Sequence, residues 1–465
     1  MAPLLTLRRV VPRITRSMSA GVGRNGKAAS GDYSEETAVM AWTSSAGGGS
    51  GAVINRHPSP ASTSMRRIEE AELLALLDQN TDQEADEFAQ TPVDPLLYEF
   101  TEDVFATCPR ADQRRSAYAY LWDLVRAGGR GARGGASPGG RAGRHRLRHF
   151  LNHSPWHSEH VLRRICDRLL AVSRPYAWVV HEVAVPRLGR NLPGVDRQFV
   201  PELGTATNCQ IKLVTTAVFE HGSCPVNWRL FLPQSWHADH ERRRRARIPD
   251  HLGHRPKQRL ITDMRDELVE AWGCPSLPLV VDADLGRLEP LLAELLPRDQ
   301  VFLVRATPSV RVTPLIRAAR PVEPLGTPRP NTSWPIRQVV EGIRHLLRSP
   351  GGSRNQEAIA VPVQIDTARH ISKNPLLLIV SWPEKNNTPD GQPTEPTVWL
   401  SNLTAGAAEA ALPLLRYASA ARDTLTELSK RFPLADCRVR SYRGVDHHLS
   451  LFSAAAAYSL LTELA

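Results

Sequence analysis

The chain has 465 residues, 42% of them hydrophobic and 23% charged, enough apolar material for a sizeable core in one large or two to three ordinary domains. Lys and Arg number 58 against 48 Asp and Glu, a formal charge of +10 that suits a polyanionic partner without establishing one. Six cysteines, Cys108, Cys166, Cys209, Cys224, Cys274 and Cys437, include no CxxC pair, which argues against a zinc module and a disulfide scaffold, and no window approaches the ~20 apolar residues of a membrane helix.

Residues 1–64 mix Gly, Ser, Ala and Arg with almost no apolar period and read as disordered. Their first 31 residues hold six basic side chains and no acid, as a transit peptide, a DNA-brushing arm or a functionless extension would. Leucines at helical spacing predict an isolated helix over 65–78, so 1–90 is expected to be a basic tail with one short helix.

Three-and-four spacing over 95–126 and 155–173 predicts a small helical domain at 91–174, a candidate DNA-binding region. Between them, 128–148 holds eight glycines, six arginines and no acid, a composition expected to lack a regular helix and to form either a phosphate-contacting loop or a solvated linker. β-Branched and aromatic runs at 177–185, 209–219 and 227–232 predict a three-stranded meander. Helix (256–272, 287–296) and strand (277–282, 300–306) then alternate. That order is the one found in RNase H-like cores, giving an α/β expectation with a mixed sheet over 175–310. Pro-rich turns and short strands over 311–408 predict a β-rich insertion, and helices over 409–431 and 447–463 close the core.

Several strings in a fixed order carry a resemblance: GVDRQFVPELGTATNCQIKLVTTAVF, PVNWRLFLPQSW, ERRRRARIP, PLVVDADLG and RVRSYRGVDHHLSLFSAAAAY, preceded by CPRADQRR and FLNHSPW. Together they resemble DDE transposases of the insertion sequence 701 family over roughly residues 90–465. The resemblance implies an RNase H-like core in which three carboxylates hold two Mg²⁺ ions, about 4 Å apart, for in-line phosphoryl displacement. It also implies double-stranded DNA as partner, both element ends and target, with a homo-oligomer on DNA, no membrane association and a cytoplasmic, nucleoid-associated location.

Carried over position by position, the second acid falls on Asp282, which as a residue between strand and helix also suits an N-cap. The family's paired Asp-Asp on the first core strand is His181-Glu182 here, leaving Glu182, one methylene longer, as the first acid. The helix-borne Glu falls on Arg422, with Asp423 beside it and Glu427 one turn on, so Asp423 is the candidate third ligand and Glu427 its alternative. The triad Glu182, Asp282 and Asp423 therefore looks degraded. Arg242, Arg243, Arg244, Arg245 and Arg247, with Arg438, Arg440 and Arg443 around Tyr442, are candidate phosphate contacts. His447 and His448, adjacent in sequence, suit no metal pair. Two readings follow, a working transposase or a transposase-derived DNA-binding protein without cleavage.

Overall fold

A computed structural model describes residues 5–7, 93–126, 140–316, 319, 332–348, 358–365, 374–382, 395–432, 434 and 439–464, all within one compact unit. The tail helix expected over 65–78 and most of the Gly/Arg-rich stretch lie outside the described residues, as do Arg438 and Cys437. In chain order the strands are β1 (Leu5–Leu7), β2 (Ala177–Pro186), β3 (Val195–Val200), β4 (Thr205–Phe219), β5 (Gly222–Leu230), β6 (Leu279–Asp282), β7 (Phe302–Arg305), β8 (Arg311–Pro314), β9 (Trp334–Pro335), β10 (Ala358–Gln364), β11 (Leu376–Ser381) and β12 (Thr397–Ser401). The helices are α1 (Pro95–Val104), α2 (Ala111–Val125), α3 (Gly140–Asn152), α4 (Ser158–Val172), α5 (Ser235–Ala238), α6 (His240–Arg245), α7 (Lys257–Asp266), α8 (Glu289–Leu295), α9 (Ile336–Arg348), α10 (Ala411–Arg431) and α11 (Tyr442–Leu464).

The centre of the sheet is the mixed arrangement expected of an RNase H-like core. β4 lies antiparallel to β2 on one edge, while its other edge is shared between β3 at Thr205–Gln210 and β5 at Lys212–Phe219. β2, β6 and β7 then run parallel. The sequence gives no strand signal for β3, because the consecutive polar residues Asp196, Arg197 and Gln198 interrupt any apolar alternation on this half-exposed edge. Beyond β7 the sheet continues through β12, β11, β10 and β8, so the strands of 311–408 extend the core sheet instead of forming one of their own.

Two helical expectations need correction. The Gly/Arg-rich stretch becomes helical from Gly140, because Leu147, Phe150 and Leu151 recur at helical spacing and bury themselves, anchoring a turn sequence that propensity alone disfavours. Within 311–408 the helix α9 buries Ile336, Val339, Val340 and Ile343, an amphipathic stripe that the surrounding prolines obscure.

Each sheet face has its own apolar layer. Ala177, Val179, Val280 and Leu303 pack under α10, together with Leu377, Ile379 and Trp399 of the outer strands. Trp178, Val180, Val281 and Val304 face the opposite layer, where α7 and the helical region lie. There α11 is buried from Gly444 to Leu461, as expected for a helix apolar on every side. Gly444 is required at its start, since a Cβ would stand 2.2 Å from Val439 Cγ1 and 2.6 Å from Asn152 Oδ1.

Candidate active site and basic surface

Position along the strands decides which side chains can meet, since neighbours alternate between faces. His181 on β2 is the direct register partner of Asp282 on β6, and both follow Val179 and Val280 onto the α10 side. Arg305 ends β7 on the same side, one residue past the Val281 and Val304 pair. His181, Asp282 and Arg305 therefore form a row across three parallel strands, beneath Ala418 and Arg422 of α10.

The row is closed by charge pairing. Arg305 Nη1 donates to Asp282 Oδ1 at 2.9 Å, and Arg422 pairs with Asp282 Oδ2 from the helix above. His181 Nε2 lies 3.5 Å from the same Oδ2 and 3.1 Å from the Ala418 carbonyl oxygen. Burial lowers the His181 pKa to about 3, with Arg422 and Arg305 opposing protonation further. A neutral ring that carries its proton on Nε2 satisfies these neighbours. The Asp282 side chain is fully shielded from solvent, while Arg305 and Arg422 keep part of their guanidinium surface in water.

Glu182 is not part of this row. The next residue along β2 points to the other face, where its carboxylate accepts from Lys257 Nζ of α7 at 2.7 Å. Lys257 also donates to the Asp284 carbonyl oxygen at 3.1 Å. Asp423 is exposed on α10, one residue round the helix from the contact with Asp282, and Glu427 is exposed and paired with Lys430 at 3.2 Å. Of the three carboxylates expected to converge, the structure leaves Asp282 alone at the centre, and it is Arg422 that occupies the helix position facing it.

The arginines divide into two groups. Arg242 stacks on the Trp236 ring at 3.8 Å and donates to the Arg190 and Val195 carbonyls, and Arg243 is buried against the Pro249 and Leu252 carbonyls. These two hold their own loop. Arg244, Arg245, Arg247, Arg440 and Arg443 are exposed, the first two sharing Glu241. Tyr442 packs against the core, its phenol pKa pushed up by burial, so it is not placed as a stacking platform. His447 presents its two ring nitrogens to the Leu151 and Trp156 carbonyls, each at 2.9 Å, and stacks on Trp156. His448 bonds Tyr120 Oη at 2.8 Å, so both histidines pin α11 to the helical region.

A family model described as DDE superfamily endonuclease matches residues 103–340, just over half of the chain. The chain belongs to this family. No curated protein matches it. The matched span runs from α1 into α9 and includes His181, Asp282 and Arg305, whereas Arg422 lies beyond it. DDE endonucleases act on DNA and are generally dependent on divalent metals, which makes the donor set here the decisive chemistry. Mg²⁺ selects hard oxygen ligands, and two ions need several carboxylates to offset their charge. This centre offers one carboxylate, already neutralised by two guanidinium groups, and one imidazole. Among the described residues no group of three or more His, Cys, Asp or Glu is placed to hold a metal. The residues present do not fit a two-metal centre.

Sequence reasoning found Asp282 and Arg422 but missed Arg305 and the facing role of His181. Arg305 closes the apolar run QVFLVR at the end of a parallel strand, the same location as Asp282, and that was the available signal. No described helix is long and apolar enough to cross a membrane.

Proposed function

We propose that this DDE-family protein binds double-stranded DNA through exposed arginines and has lost metal-dependent cleavage, its catalytic centre converted into a structural ion-pair cluster. The carrying observation is Arg422 on Asp282. A guanidinium at the position of the third metal ligand repels divalent cations and occupies the carboxylate they would need. In this reading Asp282 ties β6 to β7 through Arg305 and to α10 through Arg422, while neutral His181 fills the remaining space and donates to α10. None of these groups transfers a proton to a substrate. DNA binding is supported by the family, by the net positive charge and by five exposed arginines clustered on two neighbouring segments.

The second reading, a transposase that cuts and rejoins insertion-sequence ends as a homo-oligomer, is favoured by the family match itself. One assay separates the two. Purified full-length protein is incubated with duplex DNA carrying candidate element ends and Mg²⁺ or Mn²⁺, alongside Asp282→Ala. The proposal expects a DNA complex and no metal-dependent nicking. Nicking that Asp282→Ala abolishes establishes the working transposase instead.

A further inference from the structure

Three segments far apart in sequence enclose a cleft of about 620 Å³: the second half of α3, the end of α6 with its following turn, and the turn that leads into α11. Arg148, Arg245, Arg247 and Arg440 line it, and no acidic side chain does among the described residues. His145, His149 and His153 stand between them on the α3 side, with the His149 and His153 rings stacked. Asn152 and Ser441 close the floor, joined by a hydrogen bond of 3.0 Å. Such a lining offers many donors and no negative charge, the chemistry of a phosphate site.

The backbone at Arg247 adds an independent observation. Helix α6 ends in a Schellman arrangement, in which Arg247 N donates to the Arg244 carbonyl and Ile248 N to the Arg243 carbonyl. The residue at its left-handed position is normally glycine, yet here Arg247 adopts a φ of 51°, the one non-glycine residue with positive φ among the described residues. Its guanidinium reaches into the cleft and donates to His153 Nδ1 at 3.0 Å. A conformation disfavoured for Arg is thus kept at a residue whose side chain reaches the cleft.

We infer that this cleft seats backbone phosphates of double-stranded DNA and that Arg247 is held in its strained conformation to reach them. The inference rests on the DNA-binding reading above and locates that binding on α3 and the two turns, away from the Asp282 cluster. Arg244 and Arg443 flank it as outer contacts, whereas Arg242 and Arg243 shape the loop.

Its test measures the affinity of the full chain for a fluorescent 20-bp duplex across a salt series, for wild type, Arg247→Gly and Arg440→Gln. Each variant is expected to weaken binding by about tenfold, as loss of one charged contact does, and to reduce the salt slope by roughly 0.9. Arg247→Gly should also melt at or above the wild-type temperature, because glycine relieves the left-handed strain. Wild-type binding with unchanged affinity and slope in both variants removes the cleft while leaving DNA binding intact. Failure of wild type to bind removes both. A lower melting temperature for Arg247→Gly overturns the strain argument, and Arg440→Gln then decides the cleft alone. Tighter binding of an RNA duplex of equal length overturns the DNA assignment.

Discussion

Arg422 meets Asp282 across the interface between helix and sheet, so a cation, and not a second carboxylate, faces the one acid of the cluster. The pairing is the electrostatic opposite of a carboxylate cluster built to hold metal. A carboxylate cluster is self-repelling until metal arrives, whereas here one buried anion is shared by two guanidinium groups. The same three elements are thus drawn together by attraction within the chain.

That reversal gives Asp282 a stability role with a definite sign. Replacing a member of a carboxylate cluster relieves repulsion and stabilises the metal-free protein. Replacing Asp282 by Asn leaves Arg305 and Arg422 facing each other beside a buried histidine, and removing one partner of a buried pair costs about 3–5 kcal/mol. The guanidinium groups are partly solvated, so about 2 kcal/mol is the expected loss. Chemical denaturation of Asp282→Asn at neutral pH measures it, and a gain in stability would contradict the ion-pair cluster.

Rebuilding the acids should restore what the present side chains prevent. His181 and Arg422 already face Asp282, so His181→Asp with Arg422→Glu places three carboxylates in one space. The double variant is expected to be less stable without metal and to gain a Mn²⁺-dependent rise in melting temperature that wild type lacks. Calorimetric titration with Mn²⁺ provides the direct readout. Equal Mn²⁺ binding by wild type would show that the cation pairs do not close the site.

The outline of the fold was legible in the sequence and the orientation of the site was not, for identifiable reasons. The runs forming β2 and β4 are long and rich in β-branched residues, those forming β6 and β7 are short and apolar, and their order with α7 and α8 marks a mixed sheet. Being buried on both faces, β2 has apolar residues at both parities, Trp178 and Val180 as well as Ala177 and Val179. Nothing local therefore reveals that His181, and not Glu182, shares a face with Asp282. Counting along the chain drew attention to Arg422, but its pairing with Asp282 is a tertiary fact. The basic cleft draws on residues 145–153, 245–247 and 440–441, whose proximity no periodicity encodes.

Acid should destabilise the protein through two buried histidines. Burial lowers His181 to about 3 and, outweighing the carbonyls that favour a protonated ring, His447 to about 4, against about 6.5 in an unfolded chain. With folded pKa values below the unfolded one, the unfolded state binds more protons in between. The stability is fully present above about pH 6.5 and is lost as pH falls toward 4 and 3, at up to about 1.4 kcal/mol per pH unit for each ring. Denaturation at pH 7.5, 6 and 5 should show the fall, and His181→Gln, which keeps a donor for the Ala418 carbonyl, should flatten it by one ring's share. An unchanged slope in that variant would mean that His181 is not held neutral.

Glu182 supplies the last test, because the sequence offered it as a metal ligand and the fold gives it another partner. Its carboxylate and Lys257 Nζ are both largely shielded, 2.7 Å apart, and join β2 to α7 on the face opposite Asp282. Glu182→Gln keeps the shape and the hydrogen-bond acceptor but leaves the ammonium without its counter-charge, at an expected cost of about 1–3 kcal/mol. Lys257→Met removes the charge from the other side, and the double variant should recover part of the loss, since neither buried charge then remains alone. A metal ligand predicts the opposite pattern: Glu182→Gln would stabilise the metal-free protein, and Lys257→Met would leave that effect untouched. The double-mutant cycle, read by denaturation without and with Mn²⁺, separates the two. A coupling near zero between Glu182 and Lys257, together with a Mn²⁺ response that disappears in Glu182→Gln, would return Glu182 to the catalytic centre.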